Sequence, residues 1–264
     1  MKILVLGAEG MLGHRVVKAL EGLNVIAPSR TDYTAPESVA KYGLTHEDYV
    51  VNCIGAIPQK NYDLNDMRRL NSEFPHFLRA DGEFRIIQIA TDCAFYGDAG
   101  NYSEQSLRNA HDGYGRSKIL GELPSIMNLR CSIIGPELTS KRSLFEWVRT
   151  QPQGATLHGY VRHRWNGLTT DAFASIVRAV IDNDLYFAGM QHLVPRDAVT
   201  KHELIQMIAK RTKRDDLNIV PEITGIVDRT LSTVRPYLND LLWFKAGYSQ
   251  APSIQEMLSE LAVD

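Results

Sequence analysis

Residues 3–13 read Ile3-Leu4-Val5-Leu6-Gly7-Ala8-Glu9-Gly10-Met11-Leu12-Gly13. An unbroken apolar run suits a strand buried on both faces, and three regularly spaced glycines follow it directly. A helical pattern then covers residues 11–20, with Leu12, Val16, Val17 and Leu20 on one side. Gly7 allows a tight turn, Gly10 lets a pyrophosphate approach the backbone, and Gly13 lets the helix pack close to the strand. Amides near Met11 and Leu12 would point at the phosphates, helped by the positive end of the helix. An ordinary turn before a helix would show the same glycines, so the pattern needs support from elsewhere in the chain.

That support begins with the order of elements. Strands are expected at residues 24–27, 49–54, 85–90 and 126–134, and helices at 36–42, 64–79 and 114–123. Pro36 suits a first helical turn, while Pro75 should bend the long helix or restart it. Such β-α-β alternation predicts a Rossmann-type α/β fold, a doubly wound parallel sheet with right-handed crossovers and helices on both faces. Ligands bind beyond the carboxyl ends of such strands, where both Gly7 and Thr91 fall. After Pro136 the pattern loosens. Helices are expected at 144–148, 170–181 and 201–209 and a strand at 191–194, and the segments 219–220 and 253–261 complete the chain. We divide the chain into a dinucleotide-binding core, residues 1–135, and a smaller C-terminal substrate-binding cap, 136–264, interleaved with the last core elements.

The chemistry centres on Tyr114-Gly115-Arg116-Ser117-Lys118. On a helix the phenol and the ammonium emerge from one face, one turn apart. A free phenol titrates near pH ~10, and a fixed cation beside it favours its anion. Thr91, just past the fourth strand, can hydrogen-bond a substrate carbonyl in line with Tyr114, which would give its proton as a hydride arrives. Thr91 also reads as a cap, Tyr114 as a half-buried aromatic and Lys118 as a surface charge. Their combination at one sheet edge favours catalysis. At the end of the second strand, Ser29 and Arg30 favour the 2′-phosphate of NADPH, whereas Asp32 would support NADH.

Composition narrows the partners. The 264 residues carry 29 Lys+Arg against 31 Asp+Glu, no excess for nucleic acid or an anionic membrane. Cys53, Cys93 and Cys131 lie in apolar runs without metal-ligand spacing, so neither a disulfide framework nor a metal site is expected. The apolar start is too short for a signal peptide, and no stretch reaches the ~20 apolar residues of a membrane span. These features fit a cytoplasmic protein.

The motifs resemble the extended short-chain dehydrogenase/reductase superfamily, and within it the dTDP-4-dehydrorhamnose reductase group. The resemblance rests on Gly7, Gly10 and Gly13, on Ala90-Thr91-Asp92-Cys93-Ala94-Phe95, and on Tyr114 to Lys118 with Gly121-Glu122. It implies that Thr91, Tyr114 and Lys118 reduce the C4 ketone of a nucleotide-linked 4-keto-6-deoxyhexose. It further implies that Cys53, Ile54, Gly55 and Asn71 line the cofactor site, and that Lys118 holds the nicotinamide ribose. Trp165-Asn166-Gly167-Leu168-Thr169-Thr170 resembles the substrate-side loop and Asp228-Arg229-Thr230 the late arginine segment, placing Arg164, Trp165 and Arg229 at the substrate. Cys93 stands where the group usually has an aromatic residue, as in GDP-fucose synthase, where a cysteine serves epimerisation. It also reads as a small packed thiol. An epimerase-reductase and a non-catalytic NADP-binding subunit are the alternatives, and a homodimer is left open. His158, Arg162, His163 and Arg164 read either as a diphosphate site or as a solvated basic loop.

Overall fold

The computed structural model describes residues 1–29, 39–139 and 141–263. The chain runs β1 (Ile3–Leu6), α1 (Gly13–Ala19), β2 (Val25–Ile26), β3 (Tyr49–Asn52), α2 (Leu64–Met67), α3 (Phe74–Asp81), β4 (Arg85–Thr91), α4 (Gly113–Leu120) and β5 (Met127–Cys131). It continues through β6 (Ile133–Ile134), α5 (Leu144–Arg149), β7 (Thr156–Tyr160), β8 (His163–Trp165), β9 (Leu168–Thr169), α6 (Thr170–Asp182) and β10 (Gly189–His192). The last elements are β11 (Val199–Thr200), α7 (Lys201–Arg211), β12 (Asn218–Glu222), β13 (Val227–Asp228), α8 (Pro236–Lys245) and α9 (Ile254–Glu260).

Six strands form one parallel sheet in the order β2-β1-β3-β4-β5-β10. Alternation along β1 sends Ile3 and Val5 into one apolar cluster and Leu4 and Leu6 into the other. Val16 of α1, Leu20 just after it, and Phe173, Ile176 and Val177 of α6 cover the first face, and Phe74 and Leu78 of α3 cover the second. The expected α/β fold with a parallel central sheet is therefore present. The first cluster also takes in Phe145, Leu204, Trp243 and Ile254, so helices from the second half share the core of the first.

Pro75 restarts the long helix, as its sequence context suggests, but the junction is a π-helical stretch, Arg68–Glu73. Proline has no N–H for the carbonyl four residues earlier, and a π turn reroutes the bonding around that gap. The expected strand at 126–134 breaks at Ser132, whose carbonyl accepts from Leu168 N at 2.8 Å. The β7–β12 pair and the β8, β11 and β13 strands build small sheets beside the main one. No helix among the described residues is long and apolar enough to cross a membrane.

Candidate active site

The strand order changes direction at β1, with β2 on one side and β3 on the other, and an open α/β sheet forms its ligand crevice at such a point. Leu6 pairs with Asn52, so the turns after β1 and β3 leave the sheet side by side. Gly7 has φ +76°, and a Cβ there would lie 3.0 Å from the Cys53 carbonyl carbon. At Gly13 a Cβ would sit 2.0 Å from the Gly7 oxygen, which makes this the close-packing glycine of the turn. Gly10 has only the Gly7 oxygen near, at 3.1 Å. Among the described residues the N–H groups of Met11 and Leu12 find no protein acceptor. This is the cradle of orphan donors that a pyrophosphate fills.

Beside it the Asn71 side chain clamps Ala56, accepting from its N–H at 2.9 Å and donating to its carbonyl at 2.8 Å. Asn71 also donates to Ser117 Oγ of α4 at 3.0 Å, joining the turn after β3 to the helix that carries Tyr114 and Lys118. Ile54 N donates to the Asn52 side chain, and Gly55 is exposed beside Asn71. Ser29 is exposed past β2. Arg30 and Asp32, which were expected to discriminate the cofactors, lie outside the described residues.

Two glycines press α4 against its neighbours. A Cβ at Gly115 would meet the Cys93 oxygen at 2.3 Å, and one at Gly121 the Asn71 oxygen at 2.0 Å. Asp112 caps the helix by accepting from Gly115 N at 2.8 Å. So held, α4 brings Tyr114 to Thr91, whose side chain favours the phenolate form. Thr91 ends β4 and caps the 3-10 turn Asp92–Ala94, accepting from Cys93 N at 3.2 Å.

Burial pushes the Tyr114 phenol well above its ordinary range, and the nearby Cys93 and Asp92 add to this against the Thr91 side chain. Lys118 is buried and donates to the Ile89 carbonyl at 2.8 Å. Desolvation lowers its ammonium to about 8, resisted by the charge of Glu122. No hydrogen bond joins Lys118 to the phenol, so Tyr114 holds its proton at neutral pH, the form a proton donor needs. Burial lifts both Cys53 and Cys93 to about 12, with Asp92 raising and Arg229 lowering Cys93. Both are thiols rather than thiolates.

Arg229 reaches the same crevice. Its Nε donates to the Phe95 carbonyl at 3.0 Å, and its Nη1 lies 3.9 Å from Cys93 Sγ. Gly97, with φ +97°, leaves the room its side chain occupies. Trp165 is buried, and the ammonium of Lys201 lies 5.3 Å from its ring centre. Lys201, the first residue of α7, escaped the sequence reading. A cation opposing the positive end of a helix was the available signal. Alternation along β8 turns Arg164 away from Trp165, toward Asp228 at 3.9 Å and a polar cavity of about 630 Å³. His158 faces Glu222 at 3.4 Å, and His163 lies tilted against Tyr160 with centroids 4.5 Å apart, so the basic cluster is spread over β7, β8 and the link between them.

Residues 1–131 match the family model of the RmlD substrate binding domain. Among solved structures, the chain is similar to a dTDP-4-dehydrorhamnose reductase from Clostridium acetobutylicum, with 24% identity, TM-score 0.76 and 98% of each chain covered. It is also similar to a dTDP-4-dehydrorhamnose reductase from Bacillus anthracis in complex with NADP, with 17% identity, TM-score 0.79 and 99% of each chain covered. A GDP-L-fucose synthetase from Naegleria fowleri matches at 14% identity and TM-score 0.73, over 98% of this chain and 91% of the other. At these identities the likeness establishes the fold. Among curated protein sequences none matches the chain.

Proposed function

We propose that this chain, whose residues 1–131 carry the RmlD substrate binding domain pattern, is an NADPH-dependent reductase of nucleotide-linked 4-keto-6-deoxyhexoses, acting at the C4 ketone in deoxysugar biosynthesis. The carrying observation is the meeting of Thr91, at the end of β4, with α4, whose Gly115 is pressed against the Cys93 carbonyl next to it and whose buried Lys118 follows Tyr114 by one helical turn. The cradle at Gly7 to Leu12 fits a dinucleotide, and the Bacillus anthracis reductase was solved with NADP. NADPH, when bound, supplies the hydride that reduces the ketone carbon. Tyr114 gives its proton to the ketone oxygen, completing the alcohol. Thr91 orients that oxygen, and Lys118 holds the nicotinamide ribose and steadies the phenolate that Tyr114 becomes. Solvent then returns a proton to Tyr114. Its three free cysteines suit a reducing compartment, and we place the enzyme in the cytoplasm.

The test is incubation with NADPH and a panel of dTDP-, UDP- and GDP-4-keto-6-deoxyhexoses. Loss of NADPH absorbance with a matching alcohol product is expected. Absence of turnover across the panel sinks the reading. One observation favours a second reading, epimerisation before reduction: Cys93 is a half-buried thiol just after Thr91, with Arg229 Nη1 3.9 Å from its sulfur. Enzyme-dependent deuterium at C3 or C5 of product made in deuterated water, lost in Cys93→Ser, would select it.

A further inference from the structure

The segments that follow β3 and β5 leave the sheet on either side of β4, the strand that ends at Thr91. The first passes Ala56, clamped by Asn71, and the 3-10 turn Pro58–Lys60. It then enters α2, whose Leu64 packs on Gly113 at the head of α4. The second passes Glu137 and enters α5, whose Phe145 lies in the cluster on the face opposite α3. Two side chains join these segments across the carboxyl edge of the sheet. Lys60 Nζ lies 3.4 Å from Glu137 Oε1, and Arg142 Nη1 donates to the Gln59 carbonyl at 2.8 Å.

The two sides of this bridge are built differently. The Glu137 side chain is 4% exposed, and its Oε2 accepts from Arg142 N at 2.6 Å and Ser143 N at 2.8 Å. Its own N–H donates to Glu146 Oε1 at 3.2 Å, so the carboxylate is a fixed catch. The hooks are loose. The Lys60 side chain is 29% exposed, and Gln59 and Arg142 are exposed. Contacts between long, partly solvated side chains contribute little to folding and part readily. Asn61 and Lys141, one next to each hook, have φ +59° and +48°, and non-glycine residues in this left-handed region gather at switch segments. The proton and hydride steps make no use of the bridge.

We propose that the Lys60–Glu137 and Arg142–Gln59 contacts form a cofactor latch, which parts to admit the dinucleotide and parts again to release it. A dinucleotide running from the Gly7 to Leu12 turn past the end of β3 to Tyr114 and Lys118 passes beneath the bridge. The latch sets the rate of cofactor exchange and leaves the reduction itself alone. The inference rests on the crevice being a dinucleotide site but not on the identity of the sugar. Kinetics separate a latch from a ligand contact. Losing a contact speeds release alone, whereas opening a latch speeds entry and release together.

Entry and release of NADPH are measured by stopped-flow fluorescence for the full chain, Lys60→Met and Arg142→Met. The two variants break different halves of the bridge, and both replaced side chains reach solvent, so folding should survive. Each is expected to raise both rate constants by about threefold or more while the dissociation constant stays within about twofold. Faster release without faster entry would make these residues ligands of the cofactor and overturn the latch. Unchanged rates in both variants overturn it as well, and leave the reductase reading standing. A wild type that binds neither NADPH nor NADH overturns both. Latch kinetics without turnover of any sugar in the panel would remove the reductase and keep the latch.

Discussion

Tyr114 and Lys118 show how burial assigns chemical roles. The phenol is raised and the ammonium lowered, so near neutrality one is a secure acid and the other a marginal cation. Tyr114→Phe keeps the ring and removes the proton. We expect turnover to fall by roughly a hundredfold or more while NADPH binding, followed by fluorescence titration, persists. Lys118 titrates at about 8, below its ordinary 10.5, so its charge is lost as pH rises through 8. The kcat/KM profile should therefore fall on its alkaline side near that value, and Lys118→Arg should move the limb upward or abolish it. For stability the sign is opposite. Between the folded value of about 8 and the unfolded 10.5 the unfolded chain binds more protons, so stability attributable to Lys118 rises with pH across that window. The catalytic trio was legible because its residue types and spacing name a reaction. Lys201 was not, because a single lysine after a threonine becomes informative only when its burial and its neighbours are visible.

At the scale of elements, α4 behaves as a part clamped by its glycines. Gly121→Ala would drive a Cβ toward the Asn71 oxygen, 2.0 Å away. Overpacking of this kind typically costs about 1–3 kcal/mol, and the shifted helix should lose turnover as well. Gly225→Ala, with nothing within 4 Å, should change neither quantity. Urea titration and initial rates check both variants, and equal behaviour would show that α4 is not held through Gly121. The strands β1, β3 and β4 were readable because each is largely a run of apolar residues between breakers. The short strands β6, β8, β9, β11 and β13 have two or three residues each, too few to carry a period. The π stretch was hidden for a different reason. Pro75 announces a disturbance in the helix but not how the backbone bonding is rerouted.

Over the whole molecule, a buried polar chain ties the segment at Ser232 to the sheet. Arg130 of β5 ion-pairs with Glu122 and donates to His192 Nε2 of β10 at 3.1 Å, while His192 Nδ1 donates to the Ser232 carbonyl at 2.9 Å. Burial, then the Arg130 charge, lowers His192 to about 4, with Glu104 opposing. The unfolded chain binds this proton from pH 6.5 downward, so stability from His192 is lost as pH falls from 6.5 toward 4. Chemical denaturation across that window should show a declining midpoint, and His192→Gln should flatten the decline. A slope unchanged in the variant would assign acid sensitivity elsewhere.

The placing of β10 also has a consequence for synthesis. Its parallel partner β5 ends at Cys131, and Gly189–His192 is made only after α5, the strands β6 to β9 and α6. Until then a nascent chain has Met127–Cys131 as an open sheet margin. Such margins recruit other strands, and chains released before residue 192 should self-associate through this one. The last strand of the sheet is thus a closing seam, and the ribosome must pass α5, β6 to β9 and α6 before it can be sewn.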